Sequence, residues 1–157
     1  GVFGTVVMNA HKARPGGDMK LFIAGIMQGS IQGKGIQTQD YRQMIATAVK
    51  TNHPDTEIVD PFSLFPDSVE YDDTRARQVL FAMAAEAASA DVMIAYLPAA
   101  SMGTTLEMIR AYDNGKYIIS ISPMDKNWVI RAVSSQIFST LDEFCTWVQQ
   151  IDLANLI

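Results

Sequence analysis

Two short stretches hold the residue types that could do chemistry. The first is Gly25-Ile26-Met27-Gln28-Gly29-Ser30-Ile31-Gln32-Gly33-Lys34-Gly35, with four glycines and a lysine between an apolar run and a helical pattern. Glycines leave backbone N–H groups open to an approaching anion, so Gly25, Gly29, Ser30 and Lys34 are candidates for holding a phosphate or a sugar. A connector whose glycines serve turn dihedrals fits the same residues. The loop is not a Walker A motif, which needs Gly at 28 and Ser or Thr at 35, and it lacks the third glycine of the dinucleotide fingerprint. The second stretch is Ser101-Met102-Gly103-Thr104-Thr105-Leu106-Glu107. A helix starting there aims unpaired amides and a positive dipole end at a ligand. Gly103 allows close approach, and Ser101 and Thr104 offer hydroxyls. Glu107 follows Gly103 by four residues, so the two share a face, with Leu106 and Ile109 turned toward the core. A carboxylate so placed could attack or stabilise an electron-poor carbon. Two structural roles compete for it: Thr104-x-x-Glu107 has capping-box spacing, and Arg110 stands three residues on.

The elements that must position these stretches alternate. Strands are expected at 20–25, 57–60, 91–97 and 116–121, each a short apolar run closed by Gly or Pro. Helices are expected at 37–52, 74–89 and 104–114, with Gly115 as the stop after the last of these. Leu141, Phe144, Cys145, Val148 and Ile151 form the stripe of a closing amphipathic helix. Strands apolar on both faces and alternating with helices predict an α/β three-layer sandwich, a flavodoxin-like or Rossmann-like parallel sheet of about five strands. Ligands of such sheets sit beyond the carboxyl ends of the strands, which is where both stretches fall. The loop from Asp60 to Asp67, with Phe62 and Phe65, reads as a lid over a ring-shaped ligand. A packed surface loop is the alternative.

Composition narrows the classes. The chain has 157 residues, a net charge of −5 and 48% hydrophobic residues, which fits one globular domain and excludes a disordered tail. No apolar run reaches the roughly 20 residues of a membrane helix. A basic block for nucleic acid is missing, and one cysteine permits no intrachain disulfide or CxxC motif. His11 and His53 lack partners at metal-ligand spacing, no cofactor is implied, and Cys145 is expected to be buried and inert. Residues 1–18 read as an extension or tether and 19–157 as the domain, in a chain expected to be cytoplasmic.

Ala24-Gly25 with Gly29 four residues on, Ala90-Asp91-Val92, and Ser101-x-Gly103-x-x-x-Glu107 together resemble the nucleoside 2-deoxyribosyltransferase family, including its deoxynucleoside 5′-monophosphate N-glycohydrolase branch, over roughly residues 20–150. The resemblance implies that Glu107 is the nucleophile attacking the sugar's anomeric carbon. It implies that Ser101, Gly103 and Gly29 hold a 5′-phosphate, and that the protein is a homo-oligomer acting on a small nucleoside or nucleotide. A neighbour's serine completes the phosphate site in that branch; Ser134 or Ser135 would take that part here. Three departures stand out. Phe22 replaces a tyrosine that orients the carboxylate, Met83 replaces the base-side aspartate, and Ile31 stands near an expected arginine. Lys34 would supply the missing charge, and Asp72 or Asp73 the missing acid.

Two rival readings use the same residues. A lonely-guy-type phosphoribohydrolase has a Gly-Thr-x-x-Glu core that resembles Gly103-Thr104-Thr105-Leu106-Glu107, but no Pro-Gly-Gly precedes it here. A non-catalytic nucleotide-sensing module is favoured by Phe22 and Met83, which remove two polar groups and keep the helix mouth.

Overall fold

The computed structural model describes residues 18–25, 40–64 and 70–157. Five strands, β1 (Lys20–Gly25), β2 (Glu57–Val59), β3 (Val92–Tyr96), β4 (Tyr117–Ile121) and β5 (Gln136–Phe138), pair in the order β2-β1-β3-β4-β5, all parallel. The helices are α1 (Asp40–Asn52), α2 (Pro61–Leu64), α3 (Asp73–Ser89), α4 (Met102–Asp113), α5 (Trp128–Val133) and α6 (Leu141–Val148). This is the doubly wound parallel sheet that the alternation predicts.

The two-residue period of the strands divides the interior. Leu21 and Ile23 point into one layer with Ile45, Val49, Phe144 and Val148, covered by α1 and α6. Phe22 and Ala24 point into the other with Ala87, Met93, Met108 and Ile130, covered by α3, α4 and α5. Fully enclosing each Leu, Ile or Phe contributes roughly 1.5–3 kcal/mol, which makes these two layers the main source of stability. Asp91 sets the stagger of β1 against β3: its Oδ2 accepts from the Lys20 amide at 2.8 Å. That gives the aspartate of the Ala90-Asp91-Val92 motif a structural role. Gly115 adopts φ +69°, the left-handed conformation that ends α4 as its position predicts.

Several expectations need correcting. On α1 and α3, Met44 and Leu80 are exposed while Val79 is buried. Ile109 is also exposed, and α4 buries Thr104, Met108 and Ala111 instead. Cys145 is half-buried rather than enclosed, and burial, then nearby Asp142, pushes its thiol pKa up. The short elements α2, α5 and β5 went unlocated in the sequence. Residues 1–17, which hold the expected tether, lie outside the described residues.

Candidate active site

Glu107 is built into the ligand edge by α4. Ser101 caps that helix, its Oγ accepting from the Thr104 amide at 3.3 Å, while the Thr105 hydroxyl donates to the Ser101 carbonyl at 2.9 Å. With the cap at Ser101, Glu107 is the sixth helical residue, too far along to serve a capping box. Nor is it tied to Arg110, because the ion pairs among the described residues are Lys20–Glu86, Arg42–Asp60 and His53–Asp152. Both structural roles that competed for this carboxylate are therefore excluded.

The carboxylate instead faces a cavity of about 210 Å³. One wall is the end of β1 (Ala24 and Gly25) and another is α4 (Gly103 and Glu107). Val79, Leu80 and Met83 of α3 also line it, as do Pro61 and Tyr71. Glu107 Oε2 is enclosed and has no hydrogen-bond partner among the described residues. A buried acceptor left unmatched costs about 1–3 kcal/mol, so folds rarely retain one without use. Burial pushes the Glu107 carboxyl up to about 8, against the downward pull of Arg42.

Arg42 reaches this edge from the first turn of α1. It is buried, with Nη1 2.5 Å from Asp60 Oδ1 and 3.4 Å from the Ile23 carbonyl, and it lines the same cavity. Its guanidinium lies 4.9 Å from the centroid of the Tyr41 ring, which stacks on Tyr96 at 4.4 Å. Burial raises the Tyr41 phenol pKa; Arg42 opposes that shift, and Asp60, Glu107 and Tyr96 add to it. Tyr41 also explains Gly25. A Cβ there would collide with the Tyr41 hydroxyl and come within 2.8 Å of its Cζ. At Gly103 a Cβ would meet nothing within 4 Å and would project into open space.

Of the residues expected at the site, Glu107, Gly25 and Gly103 come together at the cavity, and Ser101 caps the helix that carries two of them. Thr104 is buried and does not face an open mouth. Phe22 is fully enclosed in the core and lines no part of the cavity, a correction that follows from its depth: it shares a face with Ala24 but lies two residues further from the carboxyl end of β1, where Ala24 and Gly25 form the wall. Asp72 and Asp73 are also displaced from the place expected of them. Asp72 caps α3, its Oδ1 accepting from the Arg75 amide at 2.8 Å, and Asp73 is exposed in the first turn. Ser134 and Ser135 stand before β5, at the opposite end of the sheet from Glu107. Their hydroxyls engage Ser120 Oγ at 2.6 Å and the Ile118 amide at 3.0 Å. Gly29, Ser30 and Lys34 lie outside the described residues, as does the side chain of Phe62 on α2.

Sequence reasoning missed Arg42, Tyr41 and Tyr71. A cation on the first turn of a helix ordinarily reads as solvated. The available signal was Asp60 at the carboxyl end of β2, an acid at the ligand edge that needs a counter-charge.

No family model matches the chain, and no curated protein matches it by sequence. Solved structures do. A 2-deoxyribosyltransferase from Bacillus psychrosaccharolyticus aligns with 87% of this chain and 95% of its own at TM-score 0.64 and 17% identity. The chain has that enzyme's fold. A conserved protein from Enterococcus faecalis V583 aligns with 84% of this chain and 98% of its own, at TM-score 0.61 and 13% identity. The CMP N-glycosidase of Clostridium botulinum aligns with 82% of this chain and 96% of its own, at TM-score 0.49 and 17% identity.

Proposed function

We propose that this chain is a nucleoside 2-deoxyribosyltransferase-like enzyme that cleaves or transfers the N-glycosidic bond of a (deoxy)nucleoside or its 5′-monophosphate. Glu107 is the nucleophile. The observation that carries this reading is the enclosed, unpartnered Oε2 of Glu107 at the wall of a cavity, in a fold shared with a deoxyribosyltransferase. As the bond to the base lengthens, the sugar gains oxocarbenium character, and a carboxylate beside the anomeric carbon traps it as a glycosyl ester. Water resolves the ester in a hydrolase, and a second base resolves it in a transferase.

A cavity of about 210 Å³ is smaller than the roughly 300–1,000 Å³ that encloses a drug-sized ligand, so it suits one ring of a nucleoside. The remainder of the ligand, including any phosphate, is assigned to the glycine-rich stretch with Gly29, Ser30 and Lys34. A second copy of the chain is expected to help enclose it. Met102 and Trp128, 93% and 84% exposed, begin α4 and α5 at this same edge and suit a homo-oligomeric contact. The protein is read as cytoplasmic.

The apolar wall of Val79, Leu80 and Met83 favours one alternative, a nucleotide-binding module without turnover. Incubation with a panel of deoxynucleosides, ribonucleosides and their monophosphates, read as free base, separates the two. Release of base that Glu107→Ala abolishes supports the enzyme. Calorimetric binding of the same ligands with no release supports the binder.

A further inference from the structure

Cleavage of an N-glycosidic bond needs a second group, because the base departs as an anion unless it receives a proton. The cavity wall restricts which side chain can give it. Among the described residues lining the cavity, the ionisable side chains are those of Glu107, Arg42 and Tyr71. A guanidinium is too weak an acid to supply the proton, and that of Arg42 is paired with Asp60. Glu107 is needed as the nucleophile. Val79, Leu80 and Met83 have nothing to donate. Asp72, the acid nearest in sequence, is occupied as the cap of α3.

We propose that the Tyr71 phenol is the proton donor to the leaving base, an assignment that rests on Glu107 being the nucleophile. Its surroundings suit the role. The Arg75 guanidinium lies 5.3 Å from the Tyr71 ring centroid, and Tyr71 directly precedes the N-cap of α3, at the positive end of that helix dipole. Both place positive charge beside the ring from which the proton leaves. In the first step a Glu107 oxygen bonds to the anomeric carbon while the carbon–nitrogen bond breaks. The bonding pair goes to the base, and the Tyr71 proton moves onto it. In the second step water attacks the anomeric carbon, its proton passes to the Tyr71 phenolate, and the Glu107 carboxylate is released. Both residues end as they began.

The test compares the fastest natural substrate of the panel with 7-methyl-2′-deoxyguanosine, whose cationic base departs neutral without a proton. Tyr71→Phe is expected to slow the natural substrate by about 10²-fold or more and the methylated one by less than about fivefold. Equal slowing of both, or an undiminished natural rate, overturns the assignment. Glu107→Ala, run alongside, is expected to lose both substrates, and that result upholds the nucleophile whatever Tyr71→Phe does. Retention of either substrate by Glu107→Ala overturns the nucleophile. A wild-type protein silent toward both substrates overturns it as well, and the role of Tyr71 falls with it.

Discussion

At the scale of the residue, the proposed chemistry rests on a carboxyl group kept where a carboxylate is uncomfortable. Its pKa of about 8 lies above the ordinary carboxyl value because burial penalises the charge more than Arg42 relieves it. A nucleophile must be ionised, so kcat/KM is expected to rise with pH and level off above about 8, read from initial rates of base release. The same group makes folding pH-dependent. Below about 4.5 Glu107 is protonated in both states and costs nothing. Between there and about 8 the unfolded chain releases a proton that the folded chain keeps, so stability falls as pH rises. Glu107→Gln is therefore expected to stabilise the fold, with a gain that grows across that window to about 1–3 kcal/mol, measured by urea denaturation at several pH values. Arg42→Met should act oppositely. Removing the cation shifts the acid limb of kcat/KM to higher pH and takes from Asp60 the guanidinium it pairs with, so the variant is expected to be less stable than the wild type in urea.

At the scale of the element, two helix starts and one strand end set the geometry, and each has a separable signature. Ser101 and Asp72 are caps, so Ser101→Ala and Asp72→Ala are each expected to cost about 1 kcal/mol, while Asp72→Asn, which caps equally well, should cost little. Thermal unfolding of the three variants checks this. Gly25→Ala drives a methyl into the Tyr41 ring and is expected to cost about 1–3 kcal/mol. Gly103→Ala meets open space, so it should leave stability intact or improve it while weakening KM. The long elements were legible because their apolar residues recur at helical or strand spacing. Short α5 and β5 have too few residues to show a period, and β5 offers only Gln136, Ile137 and Phe138. Glu107, Gly103 and Gly25 were legible because the ends of parallel strands are where ligands bind. Arg42 and Tyr71 were not, because burial of one cation and the siting of one phenol follow from tertiary packing that no local pattern encodes. Phe22 was misplaced because a resemblance put it at a site that β1 reaches only with its last residues, Ala24 and Gly25.

At the scale of the whole molecule, a doubly wound sheet brings the ends of β1 and β2 and the starts of α1 and α4 to one edge. Residues 25, 42, 60 and 107, far apart in the chain, thus share one charged neighbourhood. The exposed Met102 and Trp128 at that edge predict a dimer or higher oligomer by sedimentation, and Trp128→Asp is expected to shift the population toward monomer. The central claim, covalent attack by Glu107, is tested most directly by intact-protein and peptide mass spectrometry of the enzyme quenched during turnover of its best panel substrate. The account predicts a glycosyl adduct on the peptide bearing Glu107, lost in Glu107→Gln together with base release. Base released by Glu107→Gln at the wild-type rate would contradict it.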